Sequence, residues 1–313
     1  MSLSENLTCL PLAPPTFKSG FVGIVGRPNV GKSTLMNQLI GQKVAITSPV
    51  AQTTRNRLRG ILTTTEAQLI FVDTPGIHKP HHQLGQILVK NARMAIHAVD
   101  VVLFIVDCAA PLGGGDRFIA NLLTQTQIPI ILGLNKADLQ PRQNQKTLDQ
   151  PYRTLAQTQG WSSCKFSASA PSHLDHLQAL LVEHLPLGPY YYPPDLVTDQ
   201  PERFIMGELI REQVLRLTRQ EVPHSVAVSI DRVDESPDIT RILATVQVER
   251  SSQKRILIGK QGTMLKAIGT EARQQIQKLI TGKVYLELFV KVEPNWRQSR
   301  TQLQELGYQV DPY

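Results

Sequence analysis

Between residues 21 and 185, short apolar runs alternate with longer stretches in which apolar residues recur every three or four positions. The runs FVGIVG, QLIFVD, VVLFIVD, IPIILGLN and the weaker CKFSAS are rich in Val and Ile and lack a polar face. They predict strands buried on both sides, which implies a parallel sheet covered by helices. The intervening patterns predict helices over residues 32–40, 83–98, 116–126, 144–159 and 174–185. This alternation describes a doubly wound α/β domain with a mostly parallel sheet.

After residue 185 the pattern breaks. LPLGPYYYPPD, residues 185–195, holds Pro186, Pro189, Pro193 and Pro194 with Gly188, too much proline for a helix or a central strand. Beyond this linker come a helical pattern over 203–218 and two alternating strands, SVAVSIDRV and RILATVQVE. A short helical turn, a loop at 259–262, a helix to about residue 280, the strand VYLELFVKV and a final helix after Trp296 complete the chain. The order α-β-β-α-α-β describes a smaller α+β domain. The expected organisation is an extension at 1–19, a first domain at 20–185, a linker at 186–200 and a second domain at 201–313.

Placed on these elements, one motif carries chemistry at once. GRPNVGKST, residues 26–34, follows the first strand and opens the first helix, the context a phosphate-binding loop requires. Gly26 and Gly31 let the backbone of Arg27, Pro28, Asn29 and Val30 curl so that successive N–H groups point at phosphates, aided by the helix N-terminus at Thr34. Lys32 would reach the β- and γ-phosphates, and the Ser33 hydroxyl would meet Mg2+. One strand later stands DTPG, where Asp73 can hold the metal through a water while the Gly76 N–H meets the γ-phosphate, with Thr74 and Pro75 between them. Asn135, Lys136 and Asp138 sit at the carboxyl end of IPIILGLN, where ligands of open sheets bind. NKAD resembles the guanine-reading motif of GTPases, in which the aspartate accepts from guanine N1–H and the exocyclic amine; adenine lacks both donors, so the resemblance implies GTP as the nucleotide. The polar stretch AQTTRNR, residues 51–57, could supply a threonine to the metal, Thr54 first and Thr53 close behind.

Composition adds boundaries. The chain has 313 residues, 41% of them hydrophobic, enough for two separately packed cores. Its formal charge of +7 favours an anionic partner only weakly. Cys9, Cys108 and Cys164 are scattered and match neither a disulfide framework nor a zinc site. His78, His81 and His82 read as a polar segment beside the phosphates and not as a metal site, since no Cys or carboxylate spacing accompanies them. The first twenty residues lack a signal peptide's basic start and apolar centre, and no stretch approaches the roughly 20 apolar residues that span a bilayer. A cytoplasmic protein is expected, and nothing calls for more than a monomer.

These motifs in this order, followed by GKQG in a second domain, resemble the Era family of ribosome-associated GTPases from residue 21 onward. In that resemblance NKAD is the guanine-reading motif, and Ser167 and Ala168 of FSAS form the last guanine-contacting loop. ILIGKQG, residues 256–262, is similar to the Gly-x-x-Gly loop of a type II KH domain. There Gly259 and Gly262 admit RNA phosphates, Ile256 and Ile258 support a groove for splayed bases, and Lys254, Arg255, Lys260, Gln261 and Lys266 surround the loop. From Arg241 to Arg300, twelve Lys or Arg residues stand against Glu249, Glu271, Glu287 and Glu293. Glu293 and Pro294 depart from a segment that is often more basic in relatives.

The resemblance implies a magnesium-dependent GTPase that binds small-subunit ribosomal RNA near its 3′ end and acts in maturation and assembly of that subunit as a nucleotide-controlled switch. It also implies peripheral association with the inner face of the membrane in some members. Ile77 stands where Ras-like enzymes place the glutamine that orients water, so hydrolysis should be slow. Asn29 matches an asparagine that binds K+ near the phosphates in some relatives, which makes potassium-assisted hydrolysis an expectation. The competing readings are a GTP-binding RNA scaffold with negligible turnover, and a GTPase acting at a membrane or protein partner.

Overall fold

The computed structural model describes residues 10–48, 58–73, 96–170, 174–219 and 222–306. It divides into two compact units, one of residues 1–45 and 57–199, the other of residues 46–56 and 200–313.

The first unit is built on a six-stranded sheet in the order β2-β3-β1-β4-β5-β6. Its strands are β1 (Lys18–Gly26), β2 (Leu58–Thr63), β3 (Ala67–Asp73), β4 (Val101–Asp107), β5 (Ile130–Asn135) and β6 (Ser162–Lys165). Every residue of β3 and β5 is buried, as unbroken apolar runs require. The helices are α1 (Lys32–Ile40), α2 (Gly114–Leu123), α3 (Gln145–Gln159) and α4 (Asp175–His184). Helix α1 turns Leu35, Met36 and Leu39 inward, while Ile119 and Leu123 of α2 and Tyr152 and Ala156 of α3 pack with Val102, Phe104 and Leu132 of the sheet.

The sheet is parallel except at β2, which pairs antiparallel with β3. The sequence reading places no strand at 58–63. Gly60 interrupts the run there, and a side chain at that position would strike Ile40 and Met36 of α1. The expected helix at 83–98 lies outside the described residues except for its end at Ile96. The neighbours of β1 are β3 on one side and β4 on the other, so the strand order reverses at β1. The crevice outside its carboxyl end is the place where such sheets bind ligands.

The second unit has a three-stranded sheet, β7 (Ala227–Glu235), β8 (Ile239–Val248) and β9 (Lys283–Val292), with β7 antiparallel and β9 parallel to the central β8. Helices α5 (Glu202–Leu217), α7 (Ser251–Ile258) and α8 (Thr263–Ile276) supply the rest of its core, with a turn of helix α6 (Val222–Ser225) and a terminal α9 (Arg300–Glu305). Ile210, Val214, Ile242, Val246, Leu257, Ile268 and Ala272 form its centre, and Ile46 joins them. Thr47 follows suit, its N–H and Oγ1 donating to the buried Glu212 carboxylate at 3.0 and 3.2 Å.

Helix α8 stops short of the expected residue 280. The Gln277 side chain accepts the Val284 N–H at 2.9 Å, and Gly282 at φ 92° turns the chain into β9. The chain enters β7 from the short helix α6, Val222–Ser225.

Candidate functional site

Strand register sets the first site. Ile24 pairs with Asp73, Gly26 with Ile105, and Asp107 with Asn135, so the carboxyl ends of four strands present Gly26, Asp73, Asp107 and Asn135 along one edge. From Gly26 the chain curls through Asn29 at φ 63° and Gly31 at φ 99° into α1. A Cβ at Gly26 would press on the Ile105 carbonyl and Val30, and one at Gly31 would strike the Asn135 amide. That amide donates to the Val30 carbonyl at 2.8 Å, and its oxygen accepts the Ala168 N–H at 2.8 Å. Asn135 therefore ties the loop of residues 26–31 to the end of β6, and only a glycine at 31 leaves it room.

Lys32 is buried, and its ammonium donates to the Gly26 and Arg27 carbonyls at 3.3 and 3.1 Å. Burial lowers its pKa, and the charge of Asp73 opposes that shift. Asp73 is itself buried, and Ser33 Oγ donates to its Oδ2 at 2.8 Å. A hydroxyl and a carboxylate thus meet beside the helix N-terminus, the hard oxygen set that Mg2+ takes.

On the base side, Lys136 lies at φ 65° with its ammonium 2.7 Å from Asp107 Oδ2. Asp138 is exposed, and Ser167 Oγ donates to its Oδ1 at 2.6 Å. Ser167 thus adjoins Asp138 in space although it lies 29 residues away in the chain, and its neighbour Ala168 is bound to Asn135. The sequence reading missed two supports. Arg27 is held by Asp116 of α2 at 2.7 Å, with Asp116 fully buried, and Lys136 is held by Asp107. The position of Asp107 at the end of an apolar strand, like Asp73, was the one signal available for either. Thr53, Thr54, Thr74, Pro75, Gly76, Ile77, His78, His81 and His82 lie outside the described residues.

Among the described residues no cluster of His, Cys, Asp and Glu could hold a metal, and no helix is long and apolar enough to cross a membrane. Cys108 and Cys164 are free and buried, and burial pushes the Cys108 thiol up to about 11.

In the second unit α7 ends at Gly259, with φ 72° and ψ 179°, a conformation essentially confined to glycine. A Cβ there would also press on the Met264 backbone nitrogen. The chain turns through Gln261 at φ 52° and Gly262 at φ 78° into α8, and nothing lies near a Cβ built on Gly262. Arg255, Lys260, Gln261 and Lys266 are exposed around this turn, and Lys254 is half-buried. Ile258 packs toward the core together with Leu286 and Leu288 of β9, whereas Ile256 is exposed. Glu293, which departs from the basic pattern, is paired with Lys291 at 2.7 Å and accepts from Gln302 at 2.8 Å.

Comparison with known proteins identifies both domains. Residues 21–136 match the family model of the 50S ribosome-binding GTPases, and residues 221–297 match that of the KH domain. A GTPase Era from Nostoc sp. is 72% identical over 99% of this chain and 95% of its own. One from Leuconostoc citreum is 51% identical over 96% of this chain and 100% of its own. Among solved structures, Aquifex aeolicus Era bound to GDP and AlF4− is 38% identical and superposes with a TM-score of 0.86 over 94% of this chain and 100% of its own. An Era in complex with MgGDPNP and nucleotides 1506–1542 of 16S ribosomal RNA, also 38% identical, gives 0.87 over the same shares. The fold is thus that of a P-loop GTPase domain followed by a KH domain, and the chain belongs to the Era family of GTPases.

Proposed function

We propose that this GTPase depends on magnesium, turns over slowly, and uses its nucleotide state to govern binding of small-subunit ribosomal RNA near the 3′ end during maturation of that subunit. The observation that carries the reading is the meeting of a phosphate loop and a base-reading pair through one side chain. Asn135 bonds to Val30 and Ala168, which sets Asp138 and Ser167 beside residues 26–31. The RNA part is supported by the solved Era that holds MgGDPNP and the 16S segment.

In this reading the N–H groups of residues 29–34 and the Lys32 ammonium bind the phosphates, and Asp138 accepts from guanine N1–H and N2–H. Ser33 and Asp73 would hold Mg2+, with Thr54 as a third oxygen. The metal neutralises charge that develops on the β- and γ-phosphate oxygens. Thr74, Pro75 and Gly76 would bring a backbone N–H to the γ-phosphate. Phosphoryl transfer needs mainly positioning and charge stabilisation, so Ile77 slows the reaction without abolishing it. Asn29, whose left-handed backbone turns it out at the loop, is our candidate for holding K+ at the phosphates. Equal GTPase rates in K+ and Na+ at matched ionic strength would refute that role.

Residues 254–266 clamp the RNA backbone on the loop between α7 and α8, and the setting we propose is a cytoplasmic monomer. Sequencing the RNA crosslinked to the full chain, with a slowly hydrolysed GTP analogue present, tests the reading. It should recover the 3′ end of small-subunit rRNA, and recovery of unrelated RNAs would overturn it.

A further inference from the structure

We propose that the outer face of the second unit's sheet, along the edge strand β9, is a stacking surface for unpaired ribonucleotides that run on from the groove beside the 259–262 loop. The inference rests on the RNA reading of that loop and extends it to residues outside the KH motif.

Strand β9 alternates strictly. Val284, Leu286, Leu288, Val290 and Val292 turn toward the core, which leaves Lys283, Tyr285, Glu287, Phe289 and Lys291 on the opposite face. Two large rings therefore stand on a solvated face, Tyr285 47% and Phe289 51% exposed. They are four residues apart on one strand, roughly 13 Å along it.

The charges around them are sorted. Arg241 of β8 pairs in register with Tyr285, its guanidinium 5.7 Å from the ring centroid. Lys283 and Lys291 flank the rings as well, Lys291 being paired with Glu293 at 2.7 Å, and Glu287 is the one carboxylate between them on the strand. The other acidic groups of the face lie on β7, at the far edge. There Asp231 accepts from Thr245 Oγ1 at 2.6 Å and Ser229 Oγ at 3.0 Å, and Asp234 holds Arg232 at 2.8 Å. An anionic strand is drawn to the β9 half and kept from the β7 half.

Position gives the continuity. Strand β9 is an edge of the sheet, and its inward Leu286 and Leu288 pack against the same core as Ile258, which ends α7 next to the glycine loop. A strand of RNA leaving that loop reaches Phe289 by passing round this edge, from the face that packs on the core to the face that carries the rings. A Gly-x-x-Gly loop clamps about four nucleotides, so a longer single strand must continue somewhere. Exposed rings flanked by cations are what binds successive bases without sequence preference.

The test compares two single-stranded RNAs from the 3′ end of small-subunit rRNA by fluorescence anisotropy. One has about four nucleotides, which the groove alone holds. The other extends several nucleotides further on both sides. Phe289→Ala and Phe289→Leu should each weaken the longer RNA by about tenfold and leave the shorter one unchanged, while Phe289→Trp retains wild-type affinity. Unchanged binding of the longer RNA by Phe289→Ala would overturn the proposal and leave the face to a protein partner. Full affinity in Phe289→Leu would overturn it as well, since a leucine replaces apolar area but not a π-face. Gly262→Asp in parallel separates the two readings: loss of the shorter RNA is expected from the groove alone, and its retention would count against the groove and not against the sheet face.

Discussion

Lys32 is held at a cost. Its ammonium is buried against two carbonyls, and burial lowers its pKa, so an anionic phosphate brought to it would offset that burial. Lys32→Ala should therefore abolish GTP binding without lowering the thermal midpoint of the nucleotide-free protein. Wild type should gain several degrees on adding GTP and the variant none, and an unaltered GTP-induced shift in the variant would contradict the assignment. Asp138 offers a test of base reading. An Asn at that position would set an amide N–H against the guanine amine, but would pair with the C2 carbonyl of xanthine. Asp138→Asn should shift preference from GTP to XTP by about a hundredfold or more, measured by competition binding. The placement of these residues was legible in the sequence because the backbone demands it locally: Gly31 at φ 99° opens the helix, and Asn135 ends a buried strand, as their positions in the pattern imply. The pair Arg27–Asp116 was not legible, because its partners are 89 residues apart and meet only once α2 has packed.

Among the elements, the loop between α7 and α8 can be probed without unfolding its surroundings, provided the right glycine is changed. Gly259 lies in a glycine-only conformation with the Met264 nitrogen against it, whereas Gly262 faces open space. Gly262→Asp should weaken RNA binding more than tenfold and spare GTP, whereas Gly259→Asp should also destabilise the second unit. A filter-binding titration beside a denaturant curve distinguishes the two. Trp296, after β9, is buried and its indole N–H donates to the Ser225 carbonyl at 3.0 Å. Trp296→Ala should cost about 3–5 kcal/mol in the unfolding of the second unit while the first still binds GTP. Elements with unbroken apolar runs or strict alternation, such as β3, β4, β8 and β9, were readable from pattern alone. Strand β2 was not. Its residues follow a polar stretch, and Gly60 is there for contact with Met36 and Ile40, a requirement set by tertiary packing and not by any strand periodicity.

At the scale of the molecule, a GTPase domain and a KH domain share one chain, and a switch requires that occupancy of one alter affinity at the other. Linkage makes that coupling reciprocal: whatever factor a GTP analogue applies to RNA affinity, RNA must apply to the affinity for the analogue. Coupling of this kind is commonly about 5- to 150-fold, well within the reach of titration. The change of composition at 185–195 made two domains legible from the sequence. The grouping of Ile46 and Thr47 with the second unit was not, because it depends on Ile46 entering that core and Thr47 reaching Glu212. The direct measurement is the affinity of the full-length protein for a 3′-terminal small-subunit rRNA strand, by calorimetry, once saturated with GDP and once with a slowly hydrolysed GTP analogue. The account predicts affinities that differ at least about fivefold between the two states, mirrored by the same factor in nucleotide affinity with and without RNA. Identical RNA affinities in both states would contradict it.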